Sequence, residues 1–244
     1  MAEQRKKMNV VQLTFIVAVN MMGSGIIMLP TNMAKVGAIS LLSWVVTALG
    51  SMAMAYGFAQ AGIYNRRPGG LAAYAEDAYG KDGYFQTFFL YFVSLAIANV
   101  AVALSALGYL AGFFPALTAT PGATCAGVIG LLWLTSIANF GGPKITGRIG
   151  SVTVWGVILP VGFMAFFGWF WFKGSVFSAA WNPNNAPLSE AITASIPLTL
   201  WAFLGMESAA ANSDAVENPK KNVPLACLFG TGGAAVVYIL STTV

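Results

Sequence analysis

VVQLTFIVAVNMMGSGIIMLP, residues 10–30, decides how the rest of this chain is read. The run is 21 residues long and carries no charge, and about 20 mostly apolar residues in a helix cross the ~30 Å hydrocarbon core of a bilayer. Arg5, Lys6 and Lys7 precede it, as basic residues precede a secretory signal. Its length exceeds the ~7–15 apolar residues of such a signal, so it reads as a retained membrane helix. That helix has a flaw at its centre, Asn20-Met21-Met22-Gly23-Ser24-Gly25. Glycine costs a helix about 1 kcal/mol relative to alanine, and Gly/Ser pairs are where helices kink. Unwinding there frees N–H groups at the start of a second half-helix, where the dipole favours an anion such as a carboxylate. It also frees carbonyls at the end of the first half, which suit an ammonium group. Close helix packing through small residues is the competing reading, and it is the one expected for Gly108 and Gly112 further along.

Six similar runs follow, at residues 39–63, 85–114, 123–140, 149–172, 191–211 and 223–244, separated by turn-forming stretches rich in Pro, Gly and Asn. The composition agrees. Of 244 residues 57% are apolar and 8% charged, against ~25% charged in a soluble domain. A water-soluble fold is thereby excluded. Alternating the seven spans from an inside N-terminus leaves Arg5, Lys6, Lys7, Arg66, Arg67, Lys81, Lys144, Arg148, Lys220 and Lys221 on the inner face. Only Lys35 and Lys173 fall outside. This is a strong positive-inside asymmetry, and losing or adding one span would scramble it.

The same topology separates Cys125 from Cys227 by roughly one bilayer thickness, ~30 Å. A disulfide needs Cα atoms within about 7 Å, so both are expected as buried apolar filler. With no histidine, the commonest metal ligand and general base is missing. No nucleophile is paired with a base, so no enzyme activity, catalytic residue, metal or cofactor is expected. The basic residues lie in loops and tail rather than on one face, which disfavours nucleic acid.

Seven of the eight acidic residues lie in the tail or loops; Glu207 lies inside the 191–211 span. A carboxylate at mid-membrane costs about 2.5–3.5 kcal/mol on insertion scales, so something must offset it. A cationic substrate or a carried proton would do so, as would a structural partner, but every Lys and Arg is in a loop or tail. Beside Glu207 stands a second weak point, Leu204-Gly205-Met206, with Trp201 one turn earlier. Interruptions in spans one and six are what an inverted repeat of five helices would bring together at the membrane midplane. In the third span Tyr91, Leu95, Asn99 and Val102 share a helical face. Asn99 suits an amine or an interhelical hydrogen bond, and Tyr91 and Trp201 offer ring faces to a cation. Residues 68–80 read as a short cytoplasmic helix, with Glu76 exposed or at the inner mouth of a pathway.

Met22 to Pro30, then Pro68-Gly69-Gly70 with Tyr74 and Gly80, then Trp201 to Ser208, then Val216 to Pro224 resemble the amino acid, polyamine and organocation transporters. Within that superfamily they resemble the basic amino acid/polyamine antiporters. Asn139-Phe140-Gly141-Gly142 and Trp169-Phe170-Trp171-Phe172 fall in matching places. The resemblance implies an all-α integral membrane protein of LeuT-like inverted-repeat fold, with helices 1 and 6 broken. It implies a tail at 1–9, a first repeat at 10–172, an outer loop at 173–190 and the start of a second repeat at 191–244. Such proteins have twelve spans, so the chain is expected to be a fragment ending after about seven.

The implied activity is secondary antiport of putrescine against ornithine in the bacterial inner membrane. Cadaverine against lysine and arginine against agmatine are the alternatives, and a proton-coupled mode of uptake and a homodimer remain open. Ser24 and Gly25 would line the α-carboxylate and α-amino subsite, with Gly23 beside them at the first break and Gly205 at the second. Trp201 would gate the site, Tyr91 and Glu207 would flank it, and Asn99 would read the side chain. Glu76 is placed on the pathway. Leu95 and Val102 stand where the arginine-agmatine exchanger has Cys and Met, which disfavours a guanidinium substrate. From a different class, a cation channel could use broken helices and one carboxylate, but no filter motif is found.

Overall fold

The computed structural model describes residues 7–65, 70–211 and 216–244. Arg5, Lys6, Arg66, Arg67, Pro68 and Gly69, on which part of the charge asymmetry and of the Pro-Gly-Gly motif rest, lie outside them. The described chain is helical in order: α1 Val10–Met21, α2 Ser24–Val36, α3 Leu41–Tyr64, α4 Leu71–Ala111, α5 Pro121–Phe140, α6 Gly142–Phe167, α7 Gly174–Ala179, α8 Leu188–Trp201, α9 Ser208–Ala211 and α10 Pro219–Thr243. Short 3-10 turns lead into α3 and α5 and follow α6. Among the described residues the extended pairing is one isolated bridge, Met8 to Val216, where the Glu217 N–H donates to the Met8 carbonyl at 2.9 Å.

Four stretches of the described residues are long and apolar enough to cross a membrane, Ala38–Tyr64, Leu71–Ala111, Pro121–Phe140 and Pro219–Thr243. The expected spans at 10–30 and 191–211 are each divided between two helices. The expected third span is the later part of α4, which leaves helical geometry at Gly80 (φ 69°). The short helix expected before it therefore runs over 71–79. Asn65, just beyond α3, is buried and donates through Nδ2 to the Ala73 carbonyl at 3.0 Å and to the Asp77 carboxylate, tying that short helix to the end of α3. The segment at 173–190 is not only loop, because it contains α7. It is also held to the start of α3 by the Ala38 and Ile39 N–H groups, which donate to the Ala180 and Trp181 carbonyls at 2.9 Å each.

The chain divides into two compact units, Met1–Tyr84 with Val157–Val244, and Phe85–Gly156. In the first, α3 presents Ser43, Thr47, Ser51, Ala55, Ala59 and Gly62 as a buried stripe of small side chains. Two of its hydroxyls are bonded to carbonyls: Ser43 donates to Ile192 at 3.0 Å and Thr47 to Ser43 at 2.7 Å. Small residues let backbones approach where lipid supplies no hydrophobic drive. Gly230 of α10 does the same against α1, since a Cβ there would lie 2.7 Å from Val17 Cβ and 3.1 Å from the Thr14 carbonyl oxygen. Leu13, Val17, Trp44, Phe203, Cys227 and Tyr238 lie in the resulting core.

The second unit is smaller, with Ala103 and Leu107 of α4 packed on Val128 of α5. Its close contact is at Gly127, where a Cβ would come within 2.7 Å of Leu107 Cδ1. Among the described residues, Gly108, expected to pack against a neighbour, has nothing within 4 Å of its Cβ position, and Gly112 meets the carbonyl of Tyr109 in its own turn. Cys125 also departs from expectation: Cys227 is buried, but Cys125 is exposed, near the start of α5.

Candidate functional site

The centre of the first unit is built by two helix ends. α1 starts firmly: Asn9 and Gln12 form a reciprocal capping box, with bonds of 2.9 Å and 3.2 Å. It stops at Met21, and Gly23 precedes α2 as an N-cap that offers no side-chain hydrogen bond. The first N–H groups of α2 thus lack the oxygen that Ser, Thr, Asp or Asn would supply at that position. Gly23 itself has ordinary extended backbone angles (φ −88°, ψ −156°), and a Cβ on it would meet nothing within 4 Å. What glycine provides here is room. Ser24 and Gly25 form the first turn of α2; their side-chain surroundings lie outside what is described.

The second helix end is α8, which stops at Trp201, a residue of intermediate exposure. Residues 202–207 form successive turns before α9. Here glycine answers to backbone conformation: Gly205 has φ +105°, and a Cβ on it would lie 2.8 Å from the Asn20 carbonyl oxygen and 3.0 Å from its carbon. Gly205 therefore rests directly on the last turn of α1. The turn satisfies much of its own backbone. The Ala202, Phe203 and Leu204 N–H groups donate to the Thr199, Leu200 and Trp201 carbonyls at 3.2, 3.0 and 3.3 Å, and Met206 donates to Phe203 at 3.3 Å. The Gly205 N–H donates to Glu207 Oε2 at 3.0 Å. A carboxylate that accepts from backbone is held in place, which is what a fixed acceptor for a cation requires.

The structure thus brings Gly23, Trp201, Gly205 and Glu207 into one unit, with Gly205 in contact with Asn20. Tyr91 and Asn99 lie on the part of α4 that belongs to the second unit, and both are exposed. Glu76, half-buried, is on the short helix over 71–79. Two contributors escaped the sequence reading. Tyr238 donates its hydroxyl to the Ala202 carbonyl at 3.0 Å. Trp44 packs its ring against Tyr238 and Phe203, with centroids 5.1 and 6.0 Å away. The one signal for Tyr238 was a phenol in an apolar helix, since a buried Tyr hydroxyl usually finds a partner.

A family model for amino acid permeases matches residues 8–244. The chain belongs to that family. This permease is 56% identical over 238 residues to the putrescine transporter PotE of Escherichia coli (strain K12), covering 98% of this chain and 54% of the relative. It is 54% identical over 244 residues to the putrescine transporter PotE of Haemophilus influenzae (strain Rd), covering 100% of this chain and 56% of that protein. A cadaverine/lysine antiporter of Escherichia coli (strain K12) is 39% identical over 241 residues, covering 98% of this chain and 53% of the relative. The chain spans about half the length of the curated relatives it matches. It is a multi-pass membrane protein of permease type.

Proposed function

We propose that this permease is the N-terminal part of a secondary antiporter that exchanges putrescine for ornithine across the bacterial inner membrane, with its N-terminus inside. The fold we assign is the LeuT-like inverted repeat, in which α1 with α2 and α8 with α9 are the two broken helices. The observation that carries the reading is the contact of Gly205 with Asn20, because it joins the two interruptions and sets Glu207 beside them. The identity to two putrescine transporters, 56% and 54%, supports the substrate.

The chemistry of the pair suits such a site. Ornithine carries a carboxylate for the uncapped N–H groups at the start of α2, where the helix dipole favours an anion, and a side-chain ammonium for Glu207. Putrescine offers two ammonium groups and no anion, so it would rely on Glu207 and on the carbonyls that end α1. Trp201, the last residue of α8, would cover a bound cation with its ring. The family resemblance also assigns Tyr91 and Asn99 to substrate recognition, and Glu76 to the inner end of the path. The 39% identity to a cadaverine/lysine antiporter favours a longer diamine and its amino acid as the second reading.

Counterflow in vesicles bearing the full-length protein tests the reading. We expect putrescine uptake driven by internal ornithine, reduced at least tenfold in Glu207→Gln. Wild-type uptake in that variant would refute the assignment of Glu207. Uptake that proceeds without a counter-substrate or a proton gradient would point to a channel.

A further inference from the structure

The turn at 202–207 takes one of its hydrogen bonds from another helix. The carbonyls of Thr199, Leu200, Trp201 and Phe203 accept from N–H groups within the segment, whereas that of Ala202 accepts from the Tyr238 hydroxyl, 36 residues away in α10. An unpaired carbonyl buried in an apolar setting carries a desolvation cost, and Ala202 is 1% exposed. The phenol is also held rigidly. Tyr238, Trp44 and Phe203 are all fully buried, with the Phe203 and Tyr238 rings edge-on at 5.5 Å and the Trp44 ring 5.1 Å from Tyr238. Phe203 belongs to the turn, so α10 and α3 grip it by ring contact on one residue and by hydrogen bond on the preceding one.

We propose that Tyr238 is a positioning residue of the substrate site. By fixing the Ala202 carbonyl, its hydroxyl holds the turn between Trp201 and Glu207 in the conformation that binds the diamine. The inference rests on the functional reading above, because it takes that turn to be part of the substrate site. The logic is preorganisation. If the turn samples other arrangements, apparent affinity falls by the fraction of molecules in the competent one, while the rate of the transport cycle at saturation need not change.

The test uses the full-length protein and Tyr238→Phe, which removes one oxygen and keeps the ring. Two quantities are read: amide hydrogen exchange of a peptide covering 202–208 in the ligand-free protein, and putrescine KM and Vmax in counterflow. We expect faster exchange in that peptide, a KM raised five- to tenfold and a Vmax within twofold of wild type. Tyr238→Leu, which also removes the ring contacts, is expected to lower Vmax and thermal stability too. Unchanged exchange or an unchanged KM in Tyr238→Phe overturns the proposal. So does a loss of Vmax and stability at constant KM, which would make Tyr238 a purely structural residue. A wild-type protein that neither binds nor exchanges a diamine refutes the functional reading instead. The exchange measurement still decides, in that case, whether Tyr238 holds the turn.

Discussion

Adding one methyl group at Gly205 tests the geometry of the site more severely than removing any side chain. In Gly205→Ala the new Cβ must sit on a residue with φ +105°, 2.8 Å from the Asn20 carbonyl oxygen and 3.0 Å from the Asn20 carbonyl carbon. A side chain in such a sparsely populated backbone region costs about 1–3 kcal/mol, and overpacking a filled contact costs about 1–3 kcal/mol more. The obstructing atoms are main chain, so no rotamer change relieves them. Their sum, about 2–6 kcal/mol, means that even at the lower limit the native contact between the turn and α1 is disfavoured roughly thirtyfold. We expect the full-length variant to melt several degrees below wild type in detergent and to lose most diamine counterflow. Gly23→Ala is the internal control: its φ of −88° is ordinary and its Cβ position is open, so it should melt within about a degree of wild type. A Gly205→Ala protein indistinguishable from wild type in both measurements would refute the packing of the turn on Asn20, and with it the argument that the two interruptions meet.

Two further outcomes follow from the same geometry. Gly23→Leu, introduced into open space, should fold normally and weaken ornithine counterflow more than putrescine, because only ornithine carries a carboxylate for the start of α2. Equal losses would assign that position to packing. Asn65→Ala removes the donor to the Ala73 carbonyl and the Asp77 carboxylate; a hydrogen bond to a charged group is worth about 1.5–3 kcal/mol. Amide exchange over 71–79 should therefore accelerate tenfold or more, and unchanged exchange would show that the short helix is held by something else.

The sequence spoke clearly where length and charge decide. A charge-free run at 10–30 and a carboxylate within an apolar run need no neighbour to be interpreted, and Gly-Ser-Gly and Leu-Gly-Met were legible as weak points in their helices. The reasons those glycines are used could not be read from the chain. Gly23 provides empty space and Gly205 a backbone angle and a close approach, a difference set by what lies opposite each one. Gly108 carried the same letters as a packing glycine, yet among the described residues its Cβ position meets nothing within 4 Å, while Gly127, not singled out, receives Leu107. Tyr238 was silent because its partner is a carbonyl, and a carbonyl has no residue type to recognise. α7, six residues long, is too short to leave a helical period, so 173–190 looked like loop. Tyr91 and Asn99 were legible as a helical face, and the putrescine assignment came from resemblance rather than from any spacing.

The meeting of Gly205 with Asn20 involves main-chain atoms on both sides, and this governs what mutational scanning of the protein would find. Truncating Asn20 to alanine keeps its carbonyl in place, so a deletion-style scan would score that position for its amide group and miss the contact altogether. Only an added atom at 205 reports on it. The crossing of the two segments therefore does not depend on the amide group of residue 20, and substitutions there that keep the helix leave this contact in place.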